Sequence, residues 1–122
     1  MTILLADDDA IVRKLLAAVL RHEGYTVLEA RNAKEALVLW QEHGNTIDVL
    51  VTDIDMPGMD GVALAESIWQ TTPGLRVIYI SGNHDQALAR LHVAQGRAVL
   101  LAKPFGLDVF RRAVDSTMSE VE

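Results

Sequence analysis

Apolar positions along this chain follow two alternating rhythms. Short, nearly unbroken apolar runs at residues 2–6, 25–30, 48–52, 75–80 and 98–102 are separated by longer stretches in which apolar residues recur every three or four positions. The unbroken runs predict strands buried on both faces, as in a parallel sheet covered by helices, and the periodic stretches predict amphipathic helices. The first helix spans residues 10–22, with Ile11, Val12, Leu15, Leu16, Val19 and Leu20 on its inner face and Gly24 as its C-terminal cap. Asn32 and Glu35 form a variant capping box that opens a second helix running through Trp40, and Val62, Leu64, Ala65, Ile68 and Trp69 mark the third. A weaker fourth helix covers residues 84–93 with Ala87, Leu88 and Leu91 inward, and Phe110, Ala113, Val114, Thr117 and Met118 mark the fifth, leaving residues 119–122 as a frayed end. Strand and helix alternate five times, which predicts an α/β single domain over residues 1–122, a doubly wound five-stranded parallel sheet with helices on both sides.

Composition adds few constraints, each of them useful. The chain has 122 residues, of which 50% are hydrophobic and 23% charged, the balance of a folded domain. The formal net charge of −6, with no run of lysine or arginine, argues against direct contact with duplex nucleic acid and favours a cation or a protein partner. The absence of cysteine excludes disulfides and thiolate chemistry. His22, His43, His84 and His92 lack paired ligand spacing and read as surface or loop residues, and Trp40 and Trp69 as packing residues. No secretion signal opens the chain, and no apolar stretch reaches the roughly 18 to 20 residues of a membrane span, so the expectation is a cytoplasmic protein.

The chemistry gathers where strands end. The run at 48–52 stops at Asp53 and is followed by the loop Ile54-Asp55-Met56-Pro57-Gly58-Met59-Asp60-Gly61; the first strand stops at Asp7-Asp8-Asp9, the fourth at Ser81-Gly82-Asn83 and the fifth at Lys103-Pro104-Phe105. In an open α/β sheet the C-terminal strand ends form one rim, where ligands bind. Carboxylates and a lysine on that rim suit a phosphoryl group and a divalent cation. Structural roles stand beside these: Asp7 and Asp8 as caps of the first helix, Ser81 as a turn hydroxyl, Lys103 as a surface lysine. Asp9 is read as a cap, and Asp60 as a loop-closing or capping residue.

These four motifs, in this order, resemble the receiver domain of two-component response regulators, the CheY-like fold, over essentially the whole chain. The resemblance implies strand order 2-1-3-4-5. It implies that Asp53 is the phosphoacceptor, taking a phosphoryl group from a phosphohistidine on a sensor histidine kinase or histidine phosphotransfer protein. It further implies Mg²⁺ as cofactor, held by Asp8, Asp53, Asp7 (through water) and the backbone carbonyl of Asp55. Ser81 and Lys103 would contact the phosphoryl group, a cis bond would precede Pro104, and Asp55 and Asn83 would tune its lifetime. An unidentified downstream protein would read the state, and the resemblance also allows a homodimer through the fourth and fifth helices. Strand-end carboxylates agree with this chemistry, because a carboxylate attacks an anionic phosphoryl group only when charge is neutralised.

The chain departs from the family at Leu100, three residues before Lys103, where receivers with an aromatic switch carry Tyr or Phe. That departure leaves the phosphorylation site intact and the output route open. It sustains one alternative, a receiver-like docking module that is not phosphorylated. The other alternative is a haloacid-dehalogenase-like phosphatase, suggested by Asp53-Ile54-Asp55. It is disfavoured because the acidic pair precedes the nucleophile and no segment remains for a cap.

Overall fold

The computed structural model describes residues 1–82 and 86–121. Strands and helices alternate as β1 (Thr2–Ala6), α1 (Ala10–His22), β2 (Thr26–Ala30), α2 (Ala33–His43), β3 (Ile47–Asp53), α3 (Gly61–Trp69), β4 (Arg76–Ser81), α4 (Ala87–Ala94), β5 (Ala98–Ala102) and α5 (Leu107–Val121). A short 3₁₀ turn, Gly44–Thr46, enters β3 and has no counterpart in the expected elements. The sheet is entirely parallel, in the order β2-β1-β3-β4-β5. The expected α/β doubly wound architecture and strand order are both present.

Alternate strand residues feed two cores. Leu4, Ala6, Leu50, Val77 and Tyr79 face α2, α3 and α4, whereas Ile3, Leu5, Val49, Val51, Ile78 and Ile80 face α1 and α5. Burial on both faces is why the strands read as unbroken apolar runs rather than as alternation. Each fully buried aliphatic side chain contributes about 1.5 to 3 kcal/mol, so the central strands hold the rim rigid.

Local sequence signals set most helix ends. The Asp9 carboxylate accepts from the N–H groups of Ile11 (3.0 Å) and Val12 (3.2 Å) and caps α1. Past its other end Gly24 adopts φ 96°, a left-handed conformation that glycine takes without a Cβ penalty. Asn32 caps α2 through the Glu35 N–H at 2.7 Å. The reciprocal half of the box differs from expectation, because the Glu35 carboxylate accepts from the N–H and Nε of Arg31 instead of from Asn32. The helix also continues past Trp40 to His43. Asp60 caps α3 through the Ala63 N–H at 2.8 Å.

Two expectations fail in the second half of the chain. In α4 the buried residues are Ala89 and His92, while Ala87, Leu88 and Leu91 point outward, Leu88 being 52% and Leu91 49% exposed. The reason is a hydrogen-bonded contact: His92 Nδ1 lies 2.8 Å from the Tyr79 hydroxyl, and turning the helix to bury the leucines would break it. His92 is therefore a core residue and not a surface one, while His22 and His43 are exposed. The second failure is at the C-terminus, where α5 runs to Val121 without fraying at Ser119. Burial of Met118, the Ser119 hydroxyl donating to the Asp115 carbonyl, and the Arg76–Glu120 ion pair at 3.2 Å carry it on.

Candidate functional site

Parallel pairing aligns the strand ends that carry the chemistry. Asp53 is level with Ile80 in β4, and Ser81 is level with Ala102 in β5, so Ser81 ends the strand beside that of Asp53 and Lys103 follows the end of the next strand over. Two backbone bonds pin this edge beyond the ladder: Ile54 N–H to the Ile80 carbonyl at 2.9 Å and Lys103 N–H to the Ser81 carbonyl at 2.8 Å. The peptide between Lys103 and Pro104 is cis.

The acids converge from β1 and β3. One carboxylate oxygen from each of Asp7, Asp8 and Asp53 falls within 4.8 Å of the others. Asp7 is fully buried and Asp53 nearly so, whereas Asp8 faces solvent. Asp7 Oδ1 accepts from the Asp9 N–H at 2.9 Å, but its Oδ2 is buried with no hydrogen-bond partner among the described residues. Asp53 Oδ1 accepts from the Asp55 N–H at 3.1 Å, and its Oδ2 accepts from Lys103 Nζ at 3.2 Å. The Asp55 side chain is exposed.

Burial sets the electrostatics of the group. Desolvation pushes the Asp7 carboxyl up to about 6, against the Asp9 N–H that favours the anion, and the charges of Asp53 and Asp8 push the same way as burial. Burial also raises Asp53, despite the Asp55 N–H and Lys103. Lys103 loses some basicity to burial, but its bond to Asp53 and the charges of Asp53, Asp7 and Asp55 outweigh that loss and hold it above its usual value. Among the described residues, Lys103 is the cation paired with a carboxylate of the three, that of Asp53. A buried carboxylate oxygen without a donor, in a set made only of hard oxygen ligands, fits an additional small divalent cation such as Mg²⁺.

Supporting residues hold the acids in place. Gly61, the first residue of α3, has its N–H on the Ile54 carbonyl at 3.0 Å, and a Cβ there would collide with the Asp53 carbonyl oxygen. Glycine is what lets α3 start against the end of β3. Two contributors were not singled out from the sequence. The buried Thr52 hydroxyl donates to the Asp53 carbonyl at 2.9 Å, and Arg13 Nη1 donates to the Asp7 carbonyl at 3.0 Å while its Nε pairs with Glu29. A hydroxyl residue inside an apolar run was a signal for Thr52; Arg13 acts on a backbone atom and had none.

The structure therefore brings together Asp7, Asp8, Asp53 and Lys103, with Ser81 buried at the adjoining strand end. Asn83 lies outside the described residues. Leu100 is half-buried three residues back along β5, paired across the strands with Tyr79 and packed on the α4 side of the sheet.

An α/β sheet whose C-terminal rim carries this set defines a phosphoacceptor class of signalling module. A family model of the response regulator receiver domain matches residues 3–115, and the chain belongs to that family. Over 106 residues it is 39% identical to the sensor kinase CckA of Brucella abortus, covering 87% of this chain and 11% of the kinase. A response regulator receiver domain from Clostridium thermocellum has the same fold with TM-score 0.89 at 29% identity, over 98% of this chain and 94% of that one. The CheX–CheY–BeF₃–Mg²⁺ complex of Borrelia burgdorferi contains a chain matching with TM-score 0.86 at 28% identity, over 97% of this chain and 89% of that one. The chain is thus a receiver domain of two-component signalling, a class that exchanges signals with sensor kinases and phosphotransfer proteins. Neither the docking-module nor the phosphatase alternative gains support from these likenesses. The chain spans between 11% and 29% of the length of such curated relatives.

Proposed function

We propose that this chain accepts a phosphoryl group on Asp53 from a phosphohistidine of a sensor kinase or histidine phosphotransfer protein. The observation that carries this is the environment of Asp53: a buried carboxylate at a strand end, one oxygen held by the Asp55 N–H and the other by Lys103, beside the acids Asp7 and Asp8. An Asp53 oxygen attacks phosphorus, the bond to the histidine nitrogen breaks, and the imidazole leaves as an aspartyl phosphate forms. Asp7, Asp8, Asp53 and the Asp55 carbonyl would hold Mg²⁺, which would supply positive charge to the phosphoryl oxygens. Lys103 passes from the Asp53 oxygen to a phosphoryl oxygen, and the Ser81 hydroxyl donates to another. Fixed strand ends keep attacking and leaving groups in line, which is where most of the rate comes from in this chemistry.

The product is a switch state and not a released compound, so the chain acts once per phosphoryl group and is not a turnover enzyme. Asp55, and Asn83 by its place two residues after Ser81 in the sequence, would set the lifetime of the aspartyl phosphate. A downstream protein, or a second copy of the chain, reads the altered surface. We assign the reaction to the cytoplasm, where a kinase would draw on ATP. Among the described residues no helix is long and apolar enough to cross a membrane.

Incubation with a radiolabelled phosphohistidine donor and Mg²⁺ tests this. Wild-type chain acquires label that chelation of Mg²⁺ prevents, and Asp53→Asn acquires none. Equal labelling of Asp53→Asn, or no labelling of wild type by a donor competent toward another receiver, overturns the assignment.

A further inference from the structure

Outside the site, a buried polar contact joins the strand that ends at Ser81 to the helix that follows it. Tyr79 is fully buried, two residues before Ser81 in β4, and its hydroxyl lies 2.8 Å from Nδ1 of His92 in α4. The two rings stack with centroids 5.9 Å apart, and Trp69 of α3 meets the His92 ring edge-on at 4.7 Å. Arg97, in the turn after α4, places its guanidinium 3.9 Å from the centre of the Trp69 ring, whose Nε1 donates to the Leu75 carbonyl at 2.8 Å. One contact set therefore ties β4, α3, α4 and the turn into β5.

This set supplies a buried polar hold on α4. The helix buries Ala89 and His92, and its first residue follows Gln86, which makes no side-chain cap. An alanine methyl anchors weakly, so the grip falls on the imidazole, and a buried imidazole is tolerated only while its nitrogen is hydrogen-bonded. Burial holds His92 below its usual value, with Glu66 of α3 opposing and Arg97 assisting. Burial, Glu66 and Asp60 push the Tyr79 hydroxyl above its usual value against Arg97. Both partners are thus neutral near pH 7 and joined by a single directional bond that is either made or broken. Leu100 sits across from Tyr79 in β5, so this level of the sheet has its aromatic ring on β4.

We propose that the Tyr79–His92 hydrogen bond is the positioning contact through which the state of the Asp53 site sets where α4 sits. This rests on Asp53 being the phosphoacceptor. Residues 79 and 81 point to the same face of β4. When Ser81 is drawn toward a charged group on Asp53, the strand end shifts, and the Tyr79 hydroxyl moves relative to an imidazole carried on a lightly held helix. Loss of the bond frees α4 to take a second position.

The test compares wild type, Tyr79→Phe and His92→Gln by NMR, each with Mg²⁺ and with or without beryllofluoride, a phosphoryl mimic. Tyr79→Phe keeps the ring and removes only the hydroxyl. In wild type, beryllofluoride moves the amides of residues 53 and 103, moves those of residues 87–97, and shifts the His92 Nδ1 resonance away from its hydrogen-bonded value. In Tyr79→Phe the response at residues 53 and 103 is retained. The free-state amides of 87–97 already lie toward their beryllofluoride positions, by about a fivefold change in the two-position equilibrium, the equivalent of one lost hydrogen bond. His92→Gln gives the same displacement, and the double variant adds nothing to it. An α4 response identical to wild type in Tyr79→Phe, or an unmoved His92 Nδ1 resonance, overturns the proposal while leaving the Asp53 assignment standing. No response at residues 53 and 103 in wild type overturns both.

Discussion

Helices α1 and α4 both follow strands whose ends carry site residues, yet they are held in opposite ways. α1 is capped by Asp9 at one end and stopped by Gly24 at the other, and it buries Leu16, Ala17 and Leu20. Among the described residues α4 has no side-chain cap, buries one alanine and one histidine, and leaves Leu88, Leu91 and Val93 exposed. The difference follows the chemistry at the preceding strand ends. On the proposed function, the acids that would meet a cation in fixed geometry sit beneath the firmly held helix, and the hydroxyl that would answer a new phosphoryl group sits beneath the lightly held one. Regions that respond to ligands come from the weakly held end of a structure's stability range.

The largest expected effect comes from breaking the fixed half. Leu20→Ala costs about 2 to 5 kcal/mol in denaturant unfolding, while Leu91→Ala, exposed on α4, stays within about 0.5 kcal/mol of wild type. Comparable losses for the two would erase the contrast. Next in size, Asp7→Asn raises metal-free stability by about 1 to 3 kcal/mol, because it removes a buried charge whose Oδ2 has no donor. The same variant loses the stabilisation that added Mg²⁺ gives wild type, as thermal unfolding with and without Mg²⁺ would show. Capping supplies a smaller effect: Asp9→Ala removes about 1 kcal/mol from α1, and Gln86→Asp adds up to about 1 kcal/mol to α4.

The smallest effect is one of pH. Burial keeps His92 below its usual value in the folded chain, while the unfolded chain titrates it near 6.5. Between those two pH values the unfolded state binds more protons, so stability is complete above about pH 6.5 and falls as pH falls through the window. The stability difference between wild type and His92→Gln, followed from pH 7.5 to 5, should therefore decline toward acid; a flat difference would mean that His92 does not titrate on unfolding.

The legible and illegible parts of the sequence divide along the same line as the two helices. The ends and most of the inner face of α1 were readable because Asp9 and Gly24 punctuate it and Leu16 and Leu20 are buried as expected, but Ile11 and Leu15, also expected inward, are 82% and 49% exposed. In α4, apolar residues occupy several faces, Leu88, Ala89, Leu91 and Val93 among them, so periodicity could not fix the phase. The buried residue that does fix it is polar, and its partner Tyr79 belongs to another element. The three acids and Lys103 were legible because each interrupts or follows a strand run. Arg13 was missed because it acts on a backbone carbonyl, a role that composition does not encode, whereas Thr52 left a signal, a hydroxyl inside an apolar run, that was not taken up. The full length of α5 escaped for a similar reason, since the Arg76–Glu120 pair joins distant parts of the chain.

Amide hydrogen exchange with Mg²⁺, before and after beryllofluoride, tests most directly whether a fixed pocket is coupled to a movable helix. The account predicts slow exchange across Ala10–His22 in both states, and faster exchange across Ala87–Ala94 that changes when beryllofluoride is added. Equal protection of the two helices, or a beryllofluoride response in α1 as large as that in α4, would contradict it.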